Sequence, residues 1–289
     1  MKILVIIVTY NGMKWIEHCL SSLQQSTHPV TTIVIDNNST DGTPDYIAKT
    51  FSEVVLVRKD HNLGFGQANN VGMRYALDNG FDYVLLLNQD AYLQPVAVEE
   101  LLKVSDGRNL FSPLHLSGDG KRMDWFFKES LRMADNDLLD DLIINHAAAS
   151  TYETGEVCAA CWFMPIDMLR TVGGFNPLFF HYGEDSNYYT RLQYHQLKTF
   201  VVPAAHVWHD RGLFGNEDIY QRSKIKNRIY IIFCNPNLNT KQRIRKLIRV
   251  MIEEPLLATV REIIAASGFY GKCVSSRKQE QQLNTSWLK

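Results

Sequence analysis

The chain has 289 residues, 21% of them charged, and a formal net charge of -1. At that length about 75% of the unfolded surface is buried on folding, so a sizeable core forms without staples. The charge balance excludes a general electrostatic drive toward nucleic acid or an anionic membrane and leaves any such contact to local patches.

Ile3 to Val8 is a β-branched run too short for a signal-peptide core, and it stops at Thr9-Tyr10-Asn11 without a small-residue cleavage site, so it reads as a strand. A helix is expected over Met13 to Gln25, where Trp15, Ile16, Cys19, Leu20 and Leu23 recur at helical spacing. Thr31 to Ile35 reads as the next strand, ending in Asp36-Asn37-Asn38-Ser39, and Asp41-Gly42-Thr43-Pro44 opens a second helix. Val54 to Arg58 is a third strand, followed by the loop Asn62-Leu63-Gly64-Phe65-Gly66 and a helix from Gln67 to Asn79. Tyr83 to Leu87 is a fourth, ending in Asn88-Gln89-Asp90. Buried strands alternating with helices predict an α/β fold with a mostly parallel sheet covered on both faces.

From Ser105 to Glu156 no period is sustained, and the aromatic patch Trp125-Phe126-Phe127 and acidic patch Asp135-Asn136-Asp137 read as a variable insertion on the acceptor side. Order returns at Val157 to Pro165, then a short helix over Asp167 to Val172, a helix over Asp185 to Gln196 and a strand over Thr199 to Val202. Beyond Arg211-Gly212 the chain reads as helical and basic. Five cysteines (Cys19, Cys158, Cys161, Cys234, Cys273) form an odd set expected of reduced, cytosolic thiols. Cys158-Ala-Ala-Cys161 reads as packing, since no second ligand pair at zinc spacing accompanies it. No stretch approaches the roughly 20 apolar residues of a membrane span.

Three strand ends carrying Thr, Asn and Asp point to one nucleotide-sized crevice, because ligands of open α/β sheets bind outside the carboxyl ends of the strands. With the acidic pair of Gly183-Glu184-Asp185, these segments resemble the inverting family-two glycosyltransferases with a GT-A fold, and within them the rhamnosyltransferase-like branch. The resemblance covers 1–215, a nucleotide-binding half 1–104 and an acceptor-side half 105–215, and leaves 216–289 as a helical extension. It implies transfer of a sugar, first rhamnose from dTDP-rhamnose and next UDP-hexoses, to a saccharide or lipid-linked saccharide in bacterial surface polysaccharide synthesis.

The resemblance also assigns roles. Thr9, Tyr10, Asn11, Asp36 and Asn38 would receive the nucleotide, Tyr10 by stacking and Asp36 by accepting an imino N–H. The loop Asn62 to Asn70, with Gly64 and Asn69, would close over ribose and diphosphate. Asn88-Gln89-Asp90 matches the Asp-x-Asp motif, with Asn88 in place of the first acid; Asn88 would hold a ribose hydroxyl and Asp90 a Mg2+ or Mn2+ ion. His209 would complete that metal site, with His206 competing on the same face if the strand continues. Asp185, beside Glu184, would act as general base. A nucleotidyltransferase lacks support because Thr9-Tyr10-Asn11-Gly12 has no glycine-rich basic loop, and a non-catalytic sugar-binding protein has no need of Asp90 and Asp185 together.

The tail from Thr240 to Lys272 sets Ile244, Leu247, Ile248, Met251 and Ile252 at helical spacing beside Lys241, Arg243, Arg245, Lys246 and Arg249. It reads as an amphipathic basic helix that packs on the catalytic domain, pairs with a second subunit, or lies on the cytoplasmic leaflet.

Overall fold

The computed structural model describes residues 1–132, 134, 137–145, 149–211, 217–254, 259–260, 263–264, 272 and 286–288. Asp135, Asn136, Gly212, Cys273 and most of the tail after Glu254 lie outside the described residues.

The first half follows the sequence pattern closely. β1 (Ile3–Thr9), α1 (Ile16–Gln24), β2 (Thr31–Asp36), α2 (Thr43–Thr50), β3 (Val55–Arg58), α3 (Phe65–Asp78) and β4 (Tyr83–Asn88) alternate, and the four strands pair in parallel in the order β3-β2-β1-β4. β1 is aliphatic on both faces because helices cover both. Leu4 and Ile6 pack with Ala68, Met73 and Ala76 of α3, while Ile3, Val5 and Ile7 pack with Ile16, Cys19 and Leu20 of α1.

The second half departs from expectation. β5 (Ala91–Leu93) and α4 (Ala97–Val104) are followed by β6 (Leu110–Ser117), an eight-residue strand within the stretch that shows no period in sequence. Pro113 interrupts the strand pattern of Leu-Phe-Ser-Pro-Leu-His-Leu-Ser, and the sheet tolerates it by shifting register between Pro113 and Leu114. α5 (Trp125–Arg132), α6 (Leu138–Asp140), β7 (Tyr152–Thr154), β8 (Cys161–Pro165), α7 (Ile166–Val172) and α8 (Glu184–Tyr194) follow. β9 spans Thr199–His209, seven residues past the expected end, because the same shift that accommodates Pro113 also carries the chain through Pro203. The sheet continues β4-β8-β6-β9-β5, with β7 on β9; β8 runs antiparallel to β4 and β6, and β5 antiparallel to β9.

α9 (Glu217–Cys234) and α10 (Thr240–Glu253) form a helical pair with a small core of its own, Phe179, Ile229, Tyr230, Ile232 and Val250. Arg243, expected among solvated charges, is buried with Nη2 donating to the Asn235 carbonyl at 2.8 Å. Among the described residues no helix is long and apolar enough to cross a membrane.

α3 approaches β1 closely at Gly72, where an added Cβ would lie 2.4 Å from Ile6 Cγ2. Gly72→Ala is therefore expected to lower stability by about 1–3 kcal/mol through overpacking, read as an earlier denaturant midpoint with an unchanged slope. A midpoint at or above that of the parent chain contradicts this packing.

Candidate active site

The site begins with parallel register. Thr9 lies beside Asp36 and Val8 beside Asn88, so the ends of β1, β2 and β4 share one edge. Asp36 is buried; its Oδ2 accepts from the Ser39 N–H at 3.1 Å, while Oδ1 has no partner. Asn88 Oδ1 is likewise buried and unpartnered. Unsatisfied buried acceptors carry a free-energy cost, and ligand donors at this edge remove it. Tyr10 stands exposed beside them.

Tight local turns hold this edge. Asn11 and Asn38 have φ of 49° and 69°, conformations that Asn accepts better than most residues. The Asn11 N–H donates to Ser39 Oγ at 2.9 Å, and Asn11 Oδ1 accepts from the Thr40 N–H at 2.9 Å, tying the β1 turn to the β2 turn. Gln89, the middle residue of Asn-Gln-Asp, is a clasp that sequence reading missed. Its Oε1 accepts from Thr9 Oγ1 at 2.7 Å and from the Tyr10 N–H at 3.0 Å.

Asn37 also escaped notice. Its Nδ2 donates to the Gly64 carbonyl at 3.1 Å and its Oδ1 accepts from the Leu63 N–H at 3.2 Å, clamping the glycine loop to β2. Gly64 has φ +78°, and a Cβ there would lie 2.1 Å from the Phe180 carbonyl oxygen. Only glycine fits where this loop meets the segment leading to Glu184. Asn69 is buried and donates to the Phe65 carbonyl of its own helix at 3.0 Å, so its described hydrogen bond does not join the strand-end group.

Asp90 and His209 meet because β5 and β9 pair Ala91 with His209. His209 Nε2 lies 3.4 Å from Asp90 Oδ1, and His209 Nδ1 lies 3.6 Å from Asp124 Oδ2. His206 does not compete: three positions from His209 on a strand of period two, it falls on the other face, contrary to the one-face expectation. Asp124 is 3% exposed, accepts from the Phe127 N–H at the start of α5, and takes Arg211 Nε at 2.5 Å and Nη2 at 3.2 Å. Burial alone would raise its pKa, but the Arg211 guanidinium holds the carboxyl below the usual carboxylate range. Neither Asp124 nor Arg211 was singled out in sequence. The available signals were Asp immediately before an aromatic helix start, a capping pattern, and Arg two residues after His209.

Two groupings offer metal ligands. A carboxylate and an imidazole, Asp90 with His209, suit Mg2+ or Mn2+ completed by phosphate oxygens and water, and the partly exposed Asp90 leaves room for them. The ligand atoms of His115, Cys158 and His209 also lie within 4.8 Å of one another. Burial pushes the Cys158 thiol up to about 11 and the His115 imidazole down to about 3, leaving both neutral. Cys158 Sγ lies 3.6 Å from His115 Nδ1 and 3.5 Å from Arg211 Nη2, so polar contacts account for the trio and a guanidinium stands where a cation would need space.

The acidic pair opens α8 after Gly183, in φ +89°. Burial, then the charge of Asp185, pushes Glu184 up to about 8, and its Oε2 is buried without a partner. Asp185 is raised by burial, which the N–H of Ser186 on its Oδ1 at 2.9 Å only partly offsets. Glu156, on the rim and bonded by Ser186 Oγ, is pushed up to about 7 by partial desolvation and then by Asp185. Two carboxyls that titrate near neutral pH, Glu184 and Glu156, thus flank a third that burial also raises.

Residues 4–140 match the sequence profile of glycosyl transferase family 2. An N-acetylglucosaminyl-diphospho-decaprenol L-rhamnosyltransferase of Mycobacterium tuberculosis is 26% identical over 232 residues, 72% of this chain and 76% of that protein. The dTDP-rhamnosyl transferase RfbF of Shigella flexneri is 28% identical over 109 residues, 37% of this chain and 36% of its own. Among solved structures, a Pyrobaculum calidifontis mannosyltransferase in complex with GDP-Man and Mn2+ superposes with TM-score 0.57 at 17% identity, over 98% of this chain and 84% of that one. Staphylococcus aureus TarS 1–349 with UDP superposes with TM-score 0.54 at 18% identity, over 87% and 71%. The fold is GT-A.

Glu184 generates a pH test of the buried acid pair. Folding raises its pKa above the ordinary 4.5, so the stability of the protonated carboxyl is fully present below that value and lost as pH rises through about 8. Glu184→Gln removes the titration, and its melting temperature is expected to fall less than the parent's across that window. Parallel melting curves for the two proteins are the contrary result.

Proposed function

Because the chain is a family-2 glycosyltransferase of the rhamnosyltransferase-like branch, we propose that it transfers rhamnose from dTDP-rhamnose, with inversion, to a hydroxyl of a saccharide or lipid-linked saccharide in bacterial surface polysaccharide synthesis. UDP-hexoses are the second choice of donor. The likeness to two rhamnosyltransferases supports the sugar. The observation that carries the reading is the 3.4 Å approach of His209 to Asp90 at an edge where Asp36 Oδ1 and Asn88 Oδ1 are buried and unpartnered.

In this reading residues 1–104 hold the donor, 105–215 shape the acceptor side and complete the same sheet, and 216–289 are an appendage. Thr9, Tyr10, Asn11, Asp36 and Asn38 receive base and ribose, Asn88 bonds a ribose hydroxyl, and the Gly64 backbone approaches the diphosphate. Asp90 and His209 hold Mg2+ or Mn2+, which when bound offsets the negative charge of the leaving diphosphate. Asp124 fixes His209 by facing Nδ1, so that Nε2 points to Asp90. Asp185 takes the proton of the acceptor hydroxyl as that oxygen attacks the anomeric carbon from the face opposite the diphosphate. Glu184, protonated near neutral pH, keeps a second negative charge away from that base.

Asp185→Asn is expected to retain donor affinity and lose about 10²-fold or more in turnover, the usual share of general-base catalysis. Turnover equal to the parent's removes Asp185 from the mechanism. Asp90→Asn is expected to abolish the Mn2+-dependent part of nucleotide-diphosphate binding measured by calorimetry; unchanged Mn2+ dependence places the ion elsewhere. A thermal-shift panel of nucleotide sugars identifies the donor, since a ligand at 100 times its Kd stabilises by about 2.7 kcal/mol.

A further inference from the structure

α10 turns only part of its apolar stripe to the core: Leu247 packs with Val250 against the small core shared with α9, and the remainder faces out. Arg243 and Val250 are turned inward, while Ile244, Ile248 and Ile252 are 54%, 52% and 80% exposed. These three isoleucines stand at i, i+4 and i+8 and form one row along the outer face. Lys241, Arg245 and Arg249 form a second exposed row at the same spacing, immediately alongside. Arg249 is paired with Glu253 at 2.5 Å, so the basic row carries three positive charges against that one carboxylate. The helix is held in this orientation by a capping box, in which the Asn239 side chain accepts from the Gln242 N–H, and by the Arg243 bond to the Asn235 carbonyl.

We infer that this face of α10 docks the protein on an anionic membrane surface, with the isoleucine row entering the interface and the basic row meeting lipid headgroup charge. The inference rests on the proposed reading for its purpose, which is delivery of a lipid-linked acceptor to the site. The occupant follows from charge. A second copy pairing through the same face would bring two cationic rows together, and an apolar row has nothing to bond on a polar partner, whereas an anionic bilayer interface satisfies both rows at once. The placement is also productive. α9 carries α10 and packs on the segment leading to Glu184: Asn227 Nδ2 donates to the His181 carbonyl at 3.4 Å, Phe179 and Tyr230 meet edge to face, and Phe180 in that segment is 56% exposed. Docking through α10 therefore brings a membrane to within one helix of the acidic pair.

The test is sedimentation of the full chain with vesicles of phosphatidylcholine alone or mixed with phosphatidylglycerol. The parent is expected to partition onto the mixed vesicles at least about tenfold better than onto neutral ones, with the difference shrinking as salt is added. Ile244→Ser/Ile248→Ser and Lys241→Glu/Arg245→Glu should each lose that preference while melting normally, since all four side chains are exposed; Arg243 is left intact. Equal sedimentation of parent and variants, failure of the parent to bind, or a parent dimer that Ile244→Ser/Ile248→Ser dissociates overturns the inference. Donor hydrolysis by the same three proteins in vesicle-free buffer reports on the catalytic reading separately, so either can fail while the other stands.

Discussion

A single buried carboxylate organises the second half of this protein. Asp124 is 3% exposed and still anionic, a state whose desolvation costs several kcal/mol unless paired and hydrogen-bonded. Its pairing joins the start of its own helix, through the Phe127 N–H three residues on, to the distant end of β9, through Arg211 and the facing His209. Its own N–H donates to the His115 carbonyl at 2.9 Å, which ties in β6 as well. Removing one partner of such a buried pair costs about 3–5 kcal/mol, so the strand ends and the helix start are fixed together or not at all. His209 faces this arrangement through its buried Nδ1, 3.6 Å from Asp124 Oδ2.

The sheet supplies the other half of the constraint. Asp90 lies one residue before β5, and β5 is only three residues long, so its position depends on pairing with β9. β9 reaches that far only by passing Pro203, which cannot donate to a ladder. The register shift opposite Pro113 absorbs it: Pro113 pairs with Val202 and Leu114 with His206, so β9 runs three residues past its partner within one step. Irregular backbone in mid-sheet thus carries His209 to the edge where Asp36 and Asn88 leave acceptors open.

This division explains what could be read from residues alone. β1, β2 and β4 announced themselves because each is a continuous apolar run between helices, and their polar ends marked the donor edge. The parts of the site made within such a run and its turn, Thr9, Asp36, Asn88 and Asp90, were legible for that reason. β6 and most of β9 were not, since each holds a proline and β6 also buries Ser112 and His115, which bond one another at 3.0 Å and so look loop-like in sequence while being fully satisfied in place. Asp124 and Arg211 were illegible because their pairing spans 87 residues and leaves no local pattern. Gln89 and Asn37 were quoted as motif members, yet their work is to tie backbone across the crevice, which spacing does not reveal. In α10 helical spacing shows that one side is apolar, and only packing against α9 shows how that side divides: Leu247 turns inward while Ile244, Ile248 and Ile252 look outward.

The two ends of the crevice then solve opposite electrostatic problems. In the proposed reading the donor edge holds a negative ligand, and Asp90 and His209 would do so through a divalent cation while Asp124 neutralises the nearby Arg211 guanidinium. In the same reading a neutral hydroxyl loses a proton at the acceptor edge, where burial raises Glu156, Glu184 and Asp185 and the charge of Asp185 raises both glutamates further. A carboxylate of ordinary pKa is a weak base at neutral pH, and one raised by burial takes a proton more readily. Arg211 links the two ends, since its charge also acts on Asp185 and lowers its pKa slightly against burial. In the proposed reading one guanidinium thus both pairs with Asp124 beside the metal ligands and favours the ionised form of the base.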